Sequence, residues 1–144
     1  MKIKSLLLLL FIGFTTVSFA QEKKTLDNIA NDPNQPEFKF ETEEYDFGKI
    51  TQGESITYEF KFTNLGTEPM IISKAEGSCG CTVPIWPKEP IMKGQKSTIK
   101  VTFNSTGKMG VQDKTVTLTS NAKQNPIVIH IKGTVEKQTE PTTK

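Results

Sequence analysis

From Phe38 onward, apolar and polar residues alternate along the chain. Ile56, Tyr58, Phe60 and Phe62 fall on one side; Thr57, Glu59, Lys61 and Thr63 fall on the other. Ile99, Val101 and Phe103 alternate with Thr98, Lys100, Thr102 and Asn104, and Val116 and Leu118 with Thr115, Thr117 and Thr119. Ile127, Ile129 and Ile131 face away from Val128, His130 and Lys132. A period of two marks strands with one face in a core and one in water. The β-branched and aromatic residues filling these runs suit a pleated surface. Turn chemistry separates them at Asn64-Leu65-Gly66, Lys93-Gly94, Thr106-Gly107 with Gly110, and Asn121 to Pro126. Stretches with a helical period are short or broken by Gly and Pro.

About seven short strands with turns at this spacing predict an all-β fold, an immunoglobulin-like antiparallel β-sandwich. Two sheets packed face to face would bury the alternating Ile, Val, Phe and Leu sets. The antibody pattern of two distant cysteines bridging the sheets is absent, because Cys79 and Cys81 are the only cysteines.

The ends of the chain read differently. Lys2 and Lys4 form a basic start, Leu6 to Phe14 an apolar run, and Ser18-Phe19-Ala20 a small-x-small cleavage pattern. Residues 1–20 are therefore expected to be a signal peptide, cut before Gln21, and the protein to be periplasmic or extracellular. The apolar run is short for a transmembrane helix. No Cys follows the cleavage site, so neither a membrane span nor a lipid anchor is expected. Residues 21–36 read as a flexible polar leader, ending in Asn31-Asp32-Pro33-Asn34-Gln35-Pro36. Residues 37–135 form one sandwich domain, and 136–144 a polar tail.

Export changes the charge picture. The chain has 18 basic and 16 acidic residues, and every basic residue is Lys. Loss of Lys2 and Lys4, the only charges before Gln21, leaves the mature chain neutral. Bidentate recognition of phosphate or guanine leans on the Arg fork. A neutral, Arg-free domain argues against nucleic acid or an anionic membrane as partner.

Several short motifs punctuate the domain. They are Tyr45-Asp46-Phe47-Gly48-Lys49-Ile50, Phe62-Thr63-Asn64-Leu65-Gly66, Ser78-Cys79-Gly80-Cys81-Thr82-Val83-Pro84 and Trp86-Pro87. Phe103-Asn104-Ser105, Gly107-Lys108, Thr119-Ser120-Asn121 and Ile131-Lys132-Gly133 follow. Over roughly Phe38 to Val135 the chain resembles the secreted, mostly bacterial family known as domain of unknown function 1573. The early Phe-Gly and the late strand ending in Gly also resemble the sperm-protein-like and pilus-chaperone-like immunoglobulin folds. The resemblance implies an extracytoplasmic immunoglobulin-like domain and no particular reaction.

Cys79-Gly80-Cys81 is the most specific element. In a regular strand, residues two apart share a face with Cα atoms about 6.5–7 Å apart, at the outer limit for a disulfide. A bend at Gly80, which can take positive φ, would bring them closer. Pro84, Pro87 and Pro90 take the segment out of the ladder soon after. Three states are open: a local disulfide, favoured by export; a soft-metal site, with Cu(I) the best match to two thiolates and with His130 and Met92 as further ligands; and a dithiol doing exchange chemistry. Two thiolates alone cannot complete a structural zinc site.

Trp86, in a Pro-rich loop, is either a recognition anchor or a plug at one end of the sandwich. Glu41, Glu43, Glu44 and Asp46 read as a solvated strand whose charges discourage edge pairing. Asn104-Ser105-Thr106 is a glycosylation sequon, without meaning in a bacterium. His130 is the only His, and no Ser or Cys sits in a triad or elbow context. The expected function is a non-enzymatic module that binds a protein or envelope partner. The alternative is copper binding or thiol–disulfide chemistry at Cys79 and Cys81.

Overall fold

A computed structural model describes residues 32–138, so the expected signal peptide and its cleavage site lie outside the described residues. Among the described residues there are eight strands: β1 Phe38–Phe40, β2 Glu44–Thr51, β3 Ser55–Asn64, β4 Ile72–Gly77, β5 Thr82–Ile85, β6 Lys96–Asn104, β7 Gly110–Ser120 and β8 Ile127–Glu136. The count exceeds the expected seven because β1 and β5 have three and four residues, too few to show alternation. One sheet has the order β1-β3-β6-β5, the other β2-β8-β7-β4. The first is antiparallel throughout. The second is mixed, because β2 runs parallel to β8. That corrects the purely antiparallel expectation; partner and direction are set by distant chain, which alternation within β2 does not encode.

The alternating sets meet between the sheets. Phe60, Phe62, Ile99, Val101 and Phe103 come from one sheet, and Val116, Leu118, Ile129, Ile131 and Val135 from the other; all are buried. Burial of each such side chain is worth about 1.5–3 kcal/mol. Tyr45 of β2 stacks on Tyr58 of β3 across the sandwich, with ring centroids 3.8 Å apart.

At one corner, β2 carries a bulge between Asp46 and Lys49, with Gly48 at φ +68° and its N–H donated to the Asp46 carboxylate at 2.7 Å. Phe47, just before the bulge, keeps the inward phase of Tyr45 and stacks on Phe103. Phe47 occupies the space where a Cβ on Gly133 would stand. The early Phe-Gly and the late Gly of the sequence pattern are thus one packing unit.

Residues 34–36, the described end of the expected leader, are attached to the domain. Asn34 O accepts from the Thr67 and Glu68 amides, and Pro36 O from that of Lys123. Pro36 is buried, and Gly66 packs against the Gln35–Pro36 backbone. At the other end β8 runs one residue into the expected tail, where Glu136 O accepts from Gln52 N at 2.9 Å. Buried Asn64 ties this region together. Its Oδ1 accepts from the Glu37 and Gly66 amides, and its Nδ2 donates to Glu68 O and Ile91 O. No helix among the described residues is long and apolar enough to cross a membrane.

Candidate functional site at the Cys79–Cys81 turn

β4 pairs with β7 as far as Gly77 opposite Val116. Ser78 then donates its N–H to Thr115 O, and the chain leaves the sheet. Thr82 N donates to Cys79 O at 3.1 Å, closing a four-residue turn over Cys79, Gly80, Cys81 and Thr82. The turn brings the Cys79 and Cys81 Cα atoms to 5.2 Å, with the sulfurs at disulfide-bonding distance. The bend does not use a left-handed glycine: Gly80 is not among the positive-φ residues, and a Cβ there would meet nothing. Gly77 is the crowded position. A Cβ on it would overlap the Thr82 carbonyl, so the end of β4 and the start of β5 approach closely there.

The two cysteines are not equivalent. Cys81 packs against the core and its carbonyl accepts from Asn104 N, at the far end of β6. Cys79 is half-buried and does not belong to that cluster. The buried Thr82 places its Oγ1 3.6 Å from the Cys79 sulfur and 3.8 Å from the Cys81 sulfur. Thr82 was visible in the sequence only as part of a motif; its place three residues after Cys79, the closing position of a four-residue turn, was the available signal.

The other ligand candidates are elsewhere. Met92 is exposed beside Gln95, at the start of β6, whereas Cys81 bonds to its end. The strand between them spans about 25 Å. His130 lies on the outer face of β8, where its Nδ1 is 2.9 Å from Asp113 Oδ1. Strand end separates Met92 from the cysteine turn; His130 is in register with Thr115, the partner of Ser78, and its ring is turned to Asp113 on the outer face. Among the described residues no group of three or more His, Cys, Asp or Glu side chains is placed to hold a metal ion. Trp86 leans on the core, donates its indole N–H to Ile72 O on the edge of β4, and carries Lys88 Nζ 3.1 Å from its ring centre.

The outer face of the β2-β8-β7-β4 sheet carries a groove of about 450 Å³, lined by residues that include Asp46, Lys49, Val111, Asp113 and Lys132. Charges beside it are paired. The Glu44 carboxylate accepts from Lys132 at 2.7 Å and holds that ammonium above the ordinary lysine range, and Glu136 does the same for Lys49.

The sheet edges differ in what they offer. Phe38 N and O on β1 are both bonded by the Gln124 amide. Glu44 N and O on β2 are both bonded by Thr42 Oγ1. On β5 the outward-facing positions are Thr82, whose N–H is used in the turn, and Pro84, which has none. β7 is different. Thr115 points its backbone toward β4, so Val111 and Asp113, in the same phase, do so too. β4 has already ended, and among the described residues their N–H and C=O groups have no partner. The Val111 side chain is 84% exposed.

These features define an all-β, two-sheet protein with a close cysteine pair at one sheet end and an uncovered backbone edge beside it. A family model matches residues 38–135, and the chain belongs to that family, DUF1573, proteins of unknown function. No curated protein matches the sequence. Among solved structures, it is similar to a protein of unknown function from Porphyromonas gingivalis W83, with TM-score 0.62 and 13% identity. That match covers 73% of this chain and 50% of the other. The PapD-like domain 7 of human CEP192 matches with TM-score 0.59 and 10% identity, over 76% of this chain and 92% of that domain. The secreted serine protease VesC from Vibrio cholerae matches with TM-score 0.55 and 14% identity, over 77% of this chain and 25% of the protease. The chain thus spans half the length of the first of these proteins and a quarter of the protease. At such identities the likeness is one of fold.

Proposed function

We propose that the protein is an exported, immunoglobulin-like, non-enzymatic module that binds a protein partner by strand addition. The observation that supports this best is the uncovered edge of β7 at Val111 and Asp113, in a sandwich whose β1, β2 and β5 edges are blocked in part by side chains or proline. Unpaired strand edges template pairing with another chain, and such binding needs no catalytic set. The PapD-like neighbour supports the immunoglobulin-like description, and the basic, apolar and small-residue segments before Gln21 support export.

Titration with peptides of alternating apolar and polar residues tests the reading. The Val111 and Asp113 amides are expected to gain hydrogen-exchange protection on binding, and Val111→Pro, which removes one donor, to weaken binding about tenfold. Binding that leaves both amides unprotected and is indifferent to Val111→Pro would sink the strand-addition reading. Turnover of a hydrolase substrate panel, lost in Cys81→Ser, would sink the non-enzymatic one.

A further inference from the structure

The cysteine turn carries chemistry that a binding edge does not need. Cys79 and Cys81 sit at bonding distance, yet only Cys81 leans on the core. Gly80 between them is exposed, and the space where its side chain would stand is open. Beneath the pair, the buried Thr82 hydroxyl is within 3.8 Å of both sulfurs. The β4–β7 register sets Gly77 opposite Val116, and Ser78 bonds to Thr115. Lys114 follows on β7 in the inward phase shared by Gln112, Val116 and Leu118, but the chain has left the sheet before Cys79, so the ladder sets no β7 residue opposite that sulfur.

The other charges nearby are turned elsewhere. On β4, Lys74 and Glu76 pair with each other at 2.8 Å, both exposed. On β7, Asp113 is in the outward phase and meets His130. β5 is uncharged, and Thr82 and Val83 face Phe103 and Thr102 on β6. A hydroxyl beside a half-buried sulfur can donate to a thiolate and stabilise it.

We propose that Cys79 and Cys81 form an exchange disulfide for thiols, with Cys79 the attacked sulfur. A substrate thiolate attacks Cys79 Sγ, and a bond forms between the two sulfurs. The Cys79–Cys81 bond breaks, and its electron pair leaves on Cys81 as a thiolate, to which the Thr82 hydroxyl donates. A second substrate thiolate attacks the substrate sulfur of this mixed disulfide. A substrate disulfide departs, and Cys79 leaves as a thiolate, also within reach of the Thr82 hydroxyl. Two substrate thiols lose two electrons and two protons; the protein disulfide gains both and becomes a dithiol. Thr82 acts here as a positioning residue.

The test uses the whole oxidised chain, with reduced glutathione in one arm and a reduced, unfolded dithiol peptide in the other. Intact mass and peptide mapping are expected to show reduction without loss of fold, with the transient adduct on Cys79. Reaction with glutathione only identifies a small thiol as substrate; reaction with the peptide only identifies a protein thiol. Thr82→Val is expected to slow reduction about tenfold, as loss of a hydrogen bond to a charged group does. It should also raise the pH midpoint for alkylation of the reduced pair, and Thr82→Ser should restore both. Gly80→Val, for which the turn has room, is expected to slow the glutathione reaction several-fold by crowding Cys79, and serves if Thr82→Val does not fold. A pair that reacts only after unfolding, an adduct confined to Cys81, or rates and midpoints unchanged in both variants would overturn the proposal.

Discussion

Two glycine-bearing corners of the sandwich stand in contrast. At the β2–β8 corner, Phe47 fills the space where a Cβ on Gly133 would stand, and Gly48, at positive φ, makes the bulge that follows Phe47. At the β4–β5 turn, Gly80 faces open space without positive φ, while its neighbour Gly77 is pressed against the Thr82 carbonyl. The first corner is closed by packing, and every small residue in it is needed for the fold. The second has one glycine the fold needs and one it does not. A residue that packing leaves free, set between two cysteines, points to access rather than to architecture.

The largest effect should come from the closed corner. Gly133→Ala forces a methyl group into the Phe47 ring, in a core without room to give. A loss of about 3 kcal/mol is expected from urea denaturation. Phe47→Ala alone should cost about 3–4 kcal/mol by leaving a cavity. The double variant should be less damaged than the sum by more than about 1 kcal/mol, because the two residues share one space. Additive losses would show that Phe47 and Gly133 do not form one unit.

The contrast also separates what sequence could carry from what it could not. Strands β3, β6, β7 and β8 were legible because each is long and half-buried, so its alternation shows. β1 and β5 are too short to alternate visibly, and the parallel pairing of β2 with β8 depends on chain far away. The Phe47–Gly133 contact was legible only as two separate motifs, since nothing local says that they touch. At the cysteine turn, spacing predicted that Cys79 and Cys81 lie close. A bend at Gly80 was expected too, but it closes through the Thr82 amide and the close approach of Gly77 rather than through a left-handed Gly80, and nothing local placed Thr82 beneath the sulfurs. His130 and Met92 were chosen for chemistry alone; Met92 lies at the other end of β6 from Cys81, and His130 faces out from β8 toward Asp113.

Gly77→Ala should come next in size. Its Cβ would meet a backbone carbonyl, which cannot rotate aside as a side chain can. A loss of about 2 kcal/mol is expected, measured by the same denaturation. Unlike the Gly133 variant, it should also disturb the cysteine turn locally, seen as faster hydrogen exchange at the Thr82 amide, which donates to Cys79 O. A neutral Gly77→Ala would mean that the β4–β5 turn yields easily, and the two corners would then differ in rigidity as well as in access.

Gly80→Ala should have the smallest effect and is the most informative about the contrast. The added methyl group meets nothing within 4 Å, and the backbone is not in a conformation reserved for glycine. Alanine also restricts the unfolded chain more than glycine, a gain of up to about 1 kcal/mol where the native backbone tolerates it. Stability should therefore stay within about 0.5 kcal/mol of the parent or rise slightly. A loss above about 1 kcal/mol would place Gly80 with Gly77 and Gly133, as a residue the fold requires. With stability unchanged, a slower thiol reaction in bulkier Gly80 variants follows from crowding at Cys79 alone, because the architecture around the turn has not moved.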